Sequence, residues 1–499
     1  MIQSFLGMGN RVDKSQLRFS IKLAYGVGQA AEGLKNTAFG IFVLFYYNQV
    51  LGLSGTLAGL ALGIALVFDA VSDPLAGSVS DHWRSKLGRR HPFLYAAILP
   101  MAVSFYFLLT PPAGLGQFGL FGWLLAFSVI VRGAMTLYYV PHVALGAELT
   151  TNFHERTAVV GYRQFFGTFG GLLAVIIGFG YFFASSPEFP RGQFNHDAYP
   201  PYALVLSLLM ALSIFVTARG TQSQIPRLPQ PTGPIEALSA WGVIVRMMRE
   251  TLDALRHPSF RWLFFGVLVV FLMVGVDGSL NLYMNSFFWE LKSSELLYFY
   301  IASPIGVMIG ATFASKLNEW FDKKPSVVWG TSWWAALQII PVVLRLLDMF
   351  PQNGTQALVV TLIVIKFLQG VGVVQALVTF SSMIADVADE NELRTGKRQE
   401  GVFFAAVSFA NKCTTGLGNV VAGVALDLIA WPRGAQIQTA ADVPAGTIHQ
   451  LGLLYGPIVA GFVIVSVWCY SHYHLTRERH EEIMLALSDK RRERAAEAA

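Results

Sequence analysis

The sequence predicts an all-α membrane protein of twelve transmembrane helices, arranged as two pseudo-symmetric six-helix bundles. Three observations lead there. Of the 499 residues, 54% are hydrophobic and 13% charged, about half the charge of an ordinary soluble domain. The apolar residues gather into runs near the ~20 residues that a helix needs to cross a bilayer. A polar stretch at 219–257 divides those runs six and six.

Taken in order, the spans fall at 23–50, 55–80, 92–110, 116–147, 159–184 and 200–218, then at 260–289, 296–318, 326–350, 356–386, 401–430 and 449–473. The stretch between them has five prolines from Pro226 to Pro258, and carries Arg219, Arg227, Arg246, Arg249 and Arg256. Four segments follow: an N-terminal bundle (1–218), a cytoplasmic linker (219–257), a C-terminal bundle (258–475) and a cytoplasmic tail rich in Arg and Glu (476–499). The opening residues lack the continuous apolar core and small-residue cleavage site of a signal peptide. The first helix is therefore expected to stay in the mature protein.

Orientation follows from Lys and Arg in the short loops. With the N-terminus inside, inner segments and their flanks hold 27 of the 36 Lys and Arg, and the outer loops hold Arg191, Lys292 and Arg433. Both termini are thus expected in the cytoplasm and the protein in the cell (inner) membrane; a monomer is the default expectation for a fold of this kind. Cys413 and Cys469 both lie in apolar runs, which excludes a disulfide scaffold and a Cys-based metal site. Outside the short loops there is no basic face, so nucleic acid is not an expected partner.

A charge at membrane depth costs at least ~2.5–3.5 kcal/mol and needs a reason. The spans contain Glu32, Lys35, Asp69, Asp73, Arg132, Arg163, Asp277, Lys366 and Lys412. Asp69 and Asp73 stand four apart and share one helix face. Their repulsion is resolved by a cation between them, either Na⁺ on oxygen ligands or a shared proton. The competing reading is a pair of structural ion pairs with Arg163 or Lys412. Lys412 lies too deep for easy snorkelling, whereas Arg163, near a span end, can also reach the inner face. Glu32 and Lys35 are spaced to pair along their own helix. Arg132 and Lys366 fall near mid-span, with Glu32, Asp277 or each other as the available partners.

Helix 7 carries Asp277, Asn281 and Asn285 as a polar stripe with Tyr283 nearby, helix 1 offers Gln29, Asn36 and Tyr47, and helix 4 offers Tyr138, Tyr139 and His142. Carboxylates, amides and rings are what binds a sugar, through hydroxyl hydrogen bonds and stacking. The alternative for any one of them is interhelical glue. A substrate cavity is expected around Glu32, Asn36, Tyr139, His142, Asp277, Asn281 and Lys366, and His142 offers a route for a proton. Between spans 2 and 3, Gly77 allows close helix approach. There Asp81 with Arg84, Gly88, Arg89 and Arg90 forms a charged turn expected to latch the inner face. Its second-half counterpart, Asn318-Glu319-Trp320-Phe321-Asp322-Lys323-Lys324, is degenerate.

The string Phe68-Asp69-Ala70-Val71-Ser72-Asp73-Pro74-Leu75-Ala76-Gly77, running to Asp81 and Gly88-Arg89-Arg90-His91-Pro92, resembles the signature of the glycoside–pentoside–hexuronide:cation symporters. That is the major facilitator family of the melibiose permease. The likeness continues through Tyr46-Tyr47-Asn48-Gln49-Val50-Leu51-Gly52-Leu53, Val140-Pro141-His142-Val143-Ala144-Leu145-Gly146-Ala147-Glu148 and Tyr162-Arg163. It ends with Ala385-Asp386 and Gly396-Lys397-Arg398-Gln399-Glu400-Gly401, leading to Asn411-Lys412. The resemblance implies the major facilitator fold. It implies coupling-cation roles for Asp69 and Asp73 with Lys412 close by, and a sugar-site role for Arg163. The acids that grip a galactoside in the permease fall at Gly33 and Tyr139 here, and its stacking tryptophan at Val143, so melibiose is not the expected substrate. The helix-4 string also resembles the branch with animal sodium-dependent lysolipid symporters and sucrose–proton relatives.

The expected function is cation-coupled symport, by Na⁺ or H⁺, of a glycoside or related sugar by alternating access. The alternatives are a lysolipid or other amphiphile symporter and, in a different class, a non-transporting membrane sensor or scaffold. The chain has no H-E-x-x-H, no G-x-S-x-G elbow and no G-x-x-x-x-G-K-[ST] loop, so neither an enzyme nor an ATP-driven pump is expected. No cofactor is expected beyond the coupling ion.

Overall fold

A computed structural model describes residues 17–229, 240–397, 399–434 and 436–498. The first sixteen residues, the 230–239 part of the linker, Arg398 and the side chains of Asn318 and Glu319 lie outside that description. Among the described residues the regular structure is all helical, without strands.

In the first half, α1 (Phe19–Ala38) runs on through π turns to Val50. It is followed by α2 (Gly55–His82), α3 (His91–Leu108), α4 (Gln117–Glu148), α5 (Phe153–Ile177) and α6 (Tyr199–Thr221). After α7 (Ala240–Ala254), which lies in the linker, come α8 (Pro258–Tyr283), α9 (Ser293–Trp320), α10 (Lys323–Leu346), α11 (Gln356–Thr395) and α12 (Glu400–Leu428). A final pair, α13 (Ala445–Leu453) and α14 (Val459–Ser471), is joined by a π turn at Leu454–Ile458 and together crosses once; α15 (Arg477–Ala498) forms the tail.

Ten helical segments are long and apolar enough to cross a membrane. Two further long helical segments, 19–50 and Glu400–Leu428, carry Lys22, Glu32 and Lys35, and Glu400, Lys412 and Asp427, respectively. Their charge dilutes the apolar signal.

Local chemistry sets the ends. The Asn152 side chain accepts from the backbone N–H groups of His154 (2.9 Å) and Glu155 (3.3 Å), capping α5. Thr355 caps α11 in the same way at Leu358. At the other end of α11, Gly396 adopts φ 71°, the left-handed geometry that stops a helix and that glycine takes without strain. α11 thus extends nine residues past the sequence-read boundary at 386, because Glu390, Glu392, Leu393 and Arg394 are good helix formers and no breaker comes before Gly396.

Two groups of helices emerge from the packing. In one, α1 packs on α5 and α6, α2 on α4, and α3 on α4 and α6; in the other, α8 packs on α12 and α14, and α11 on α9 and α10. α2 and α12 face each other across the groups. A Cβ at Gly59 would collide with the Asn419 carbonyl, and one at Gly423 with that of Gly55, so glycine is required at this approach. Gly77, the expected contact glycine, has only Val140 at an ordinary 3.5 Å; the tight helix contact lies about four turns and more earlier on α2, at Gly63, Gly59 and Gly55.

The groups are stitched on the face opposite the termini. Asp427 of α12 caps the start of α2, accepting from Ser54 Oγ (2.5 Å), Gly55 N (3.0 Å) and Thr56 N (2.8 Å). Beside it Trp431 Nε1 donates to Gln49 Oε1 (2.8 Å), Tyr283 OH to Asn48 Oδ1 (2.7 Å) and Gln193 Nε2 to Ser286 Oγ (3.1 Å). The conformer is closed on that face.

Candidate functional site

Both acids of α2 point into the interface. The Lys412 ammonium, arriving from α12, lies 3.0 Å from Asp69 Oδ2 and also pairs with Asp73 Oδ2. Arg132 of α4 approaches Asp69 Oδ2 at 3.4 Å, and its guanidinium lies 4.9 Å from the centre of the Phe39 ring. Thr136 Oγ1 stands 3.0 Å from Asp69 Oδ1 and 2.9 Å from Asp73 Oδ1. A hydroxyl has one proton, so it donates to one of these oxygens at a time. One turn along α1, Glu32 and Lys35 pair at 3.1 Å. Three acids and three bases thus share one lining: Glu32, Lys35, Asp69, Asp73, Arg132 and Lys412.

The cavity they enclose measures about 540 Å³ and is completed by Tyr139, Asn411 and Asn419 among others. A second cavity of about 580 Å³ lies on the far side of α1, against α5, α8, α9 and α11. It is lined by Glu32 and Asn36, Asp277 and Asn281, Gln164 and Lys366. Glu32, Asn36, Gly40 and Gly278 line both.

On α8 the polar stripe forms a ladder. Asp277 Oδ1 accepts from Gln338 Nε2 (2.8 Å), Asn281 Nδ2 (3.3 Å) and the Tyr455 hydroxyl. Asn285 Nδ2 donates to Asn281 Oδ1 at 2.8 Å. Such a row holds each amide in one orientation and leaves hydrogen-bonding groups facing the cavity.

The structure therefore brings together Asp69, Asp73, Lys412, Glu32, Asn36, Tyr139, Asp277, Asn281 and Lys366 around the two cavities. It does not bring in His142 or Arg163. His142 is fully buried, stacked between Tyr25 (4.4 Å) and Tyr138 (5.0 Å), with neither ring nitrogen hydrogen-bonded. As a packed ring it is excluded from a lining role by its neighbours. Arg163 is half-buried on α5 one residue before the lining residue Gln164, and its side chain lines neither cavity. Arg132 and Thr136 were the residues that spacing did not pair with the α2 acids. Both lie on α4, and Arg132 was visible as a mid-span charge, whereas a single threonine gives no signal.

The charged turn after α2 is organised around Glu148 of α4. Arg89 Nη2 donates to Glu148 at 2.8 Å, and Arg90 donates to Glu148 (2.7 Å), to Ser80 Oγ (2.6 Å) and to Asp81 (2.5 Å). Gly88 turns the chain at φ 71°, and Arg84 is exposed in the same turn. These contacts tie α2, α3 and α4 within one group of helices.

Among the described residues no cluster of three His, Cys, Asp or Glu is placed to hold a metal ion.

Comparison with known proteins agrees with this architecture. The family model described as "MFS/sugar transport protein" matches residues 24–477. An uncharacterized symporter of Synechocystis sp. is 25% identical, the match covering 95% of this chain and 98% of that protein. The isoprimeverose transporter of Lactiplantibacillus pentosus is 22% identical over 91% of this chain and 89% of its own length. Sodium-dependent lysophosphatidylcholine symporter 1 of Gallus gallus is 24% identical over 97% and 92%. Among solved structures, the inward-open xylose transporter XylE from E. coli superposes with a TM-score of 0.60 at 14% identity, covering 93% of this chain and 99% of that one.

Proposed function

Since the chain belongs to the MFS/sugar transport family, we propose that it carries a glycoside or related sugar across the membrane together with a cation, Na⁺ or H⁺, by alternating access. The observation that carries this reading is the bridge from Lys412 to Asp69 and Asp73, in a cavity sharing its wall with a second, polar cavity. The bridge joins α12 to α2, one helix from each group. An arriving cation has to move the Lys412 ammonium aside to reach the carboxylates. Doing so weakens a link between the groups at mid-depth, so occupying the ion site and freeing α12 from α2 become one event. The amide and carboxylate row along α8 faces the solute and selects hydroxyl-bearing molecules by hydrogen bonds that a bare alkane cannot return.

In this reading 1–218 and 258–475 are the rocking bundles, 219–257 the connecting linker and 476–499 the tail. The Lys and Arg concentrated in the inner segments support a cytoplasmic position for both termini. The closed face is then the outer one.

The test is counterflow in proteoliposomes with labelled glycosides, in Na⁺ and in Na⁺-free buffer across pH. Saturable exchange is expected, and its dependence on Na⁺ or on pH names the ion. Folded protein that exchanges no sugar overturns the sugar reading and favours an amphiphile, the class named for the lysophosphatidylcholine relative.

A further inference from the structure

Among the described residues, every acidic and basic side chain that lines the two cavities has an internal partner except one. Lys35 pairs with Glu32, and Lys412 and Arg132 with the α2 acids. The Asp277 carboxylate is held by three donors. Lys366, eleven residues into α11, stands apart. Its Nζ lies 5.3 Å from the centre of the Phe299 ring, and among the described residues no carboxylate comes within 4.0 Å of it. A ring face attracts an ammonium but does not neutralise its charge, and a lysine within a membrane span ordinarily has a partner of opposite charge. The side chain also borders a small recess with Asn285, Gln338 and Gln369, so amides surround its path while the ammonium keeps three donors and no anion.

We infer that Lys366 reads an acidic oxyanion, a carboxylate or phosphate, on the transported solute. The inference rests on the transport reading of the cavity and adds the charge of the solute to it. The hydroxyl-bearing body of such a molecule lies against Asn36, Gln164 and Asn281, which line the same cavity, while its anionic end meets Lys366. A neutral solute of the same shape leaves the ammonium uncompensated and is the weaker ligand.

The experiment uses the full-length protein in proteoliposomes. Four competitors of counterflow are compared: 4-nitrophenyl glucoside, 4-nitrophenyl glucuronide, glucose 6-phosphate and, as an amphiphilic phosphate, lysophosphatidylcholine. At least one oxyanion is expected to compete at a concentration tenfold or more below that of the neutral glucoside. Which one it is separates carboxylate from phosphate, and sugar from lipid. Lys366→Gln should bring the ratio to within about twofold, and Lys366→Arg should restore it. Equal competition in the native protein, or a ratio unmoved by Lys366→Gln, overturns the inference. Should Lys366→Gln not fold, Lys366→Met serves in its place. Should no probe exchange at all, the transport reading fails on its own account, and thermal protection of the detergent-solubilised protein decides the anion site. Protection by an oxyanion probe that is lost without Lys366 sustains it, and equal behaviour of native and variant protein overturns it.

Discussion

Lys412 Nζ lies 3.0 Å from Asp69 Oδ2 while also pairing with Asp73, so one ammonium from α12 neutralises two carboxylates of α2. Charge is balanced locally, yet the balance spans the two groups of helices. Removing one member of a buried set leaves the others uncompensated, which costs about 3–5 kcal/mol where the group is fully buried. Here Lys412 and Asp73 are each about a quarter exposed, so the cost should be well below that.

Asp73→Asn should therefore fold. It is expected to lose accumulation of solute driven by a cation gradient, while exchange without a gradient persists at a tenth or more of the native rate. Parallel assays in proteoliposomes, with and without an imposed gradient, measure both. Undiminished uphill accumulation would remove Asp73 from the coupling site.

Asp427 caps α2 from the opposite group through three hydrogen bonds. Loss of a cap costs about 0.5–2 kcal/mol, roughly a two- to thirty-fold shift in an equilibrium. Asp427→Ala should move the population toward opening on that face. The readout is the rate of maleimide labelling at Ser286→Cys, a fully buried position on that face, in a background without Cys413 and Cys469. A severalfold faster rate is expected, and an unchanged rate would count against the latch.

His257 precedes α8, caps it through Nδ1 to the Phe260 N–H (3.4 Å) and faces Glu390 at 3.5 Å. Burial holds its imidazole below the usual range; nearby Arg394 pushes the same way, and Glu390 opposes without prevailing. The unfolded imidazole, at ~6.5, then takes its proton first. Its contribution to stability is complete above about pH 6.5 and declines as pH falls below it. Melting temperature should drop between pH 7.5 and 5.5, and His257→Asn, which keeps a capping oxygen without a titrating ring, should flatten part of that drop. Coincident profiles would dismiss His257 as the source.

The architecture was legible because bilayer helices advertise themselves through composition. Asp69, Asp73, Lys412 and Lys366 stood out for the same reason, as charges where none is cheap. What the sequence concealed was pairing. Arg132 was visible but its match to Asp69 depends on how α4 rotates against α2, and that is set by side-chain packing with no linear signature. His142 drew attention as a polar ring beside Tyr138 and Tyr139, yet Tyr138 and the distant Tyr25 sandwich it out of the cavity. Glu148, the hub of the charged turn, sits 58 residues from Arg90, and proximity of that kind is a property of the fold. Gly77 misled because small size permits contact without requiring it.

Glu32, Asn36, Gly40 and Gly278 form a party wall between the two cavities. Occupants on either side of such a wall need no relay to influence each other. If one guest fixes the orientation of Glu32, the other inherits that orientation, and the benefit is reciprocal by thermodynamic necessity. Thickening the wall at Gly40, where a Cβ meets open space, is then a way to detune the conversation between the two guests without touching the groups that hold either one.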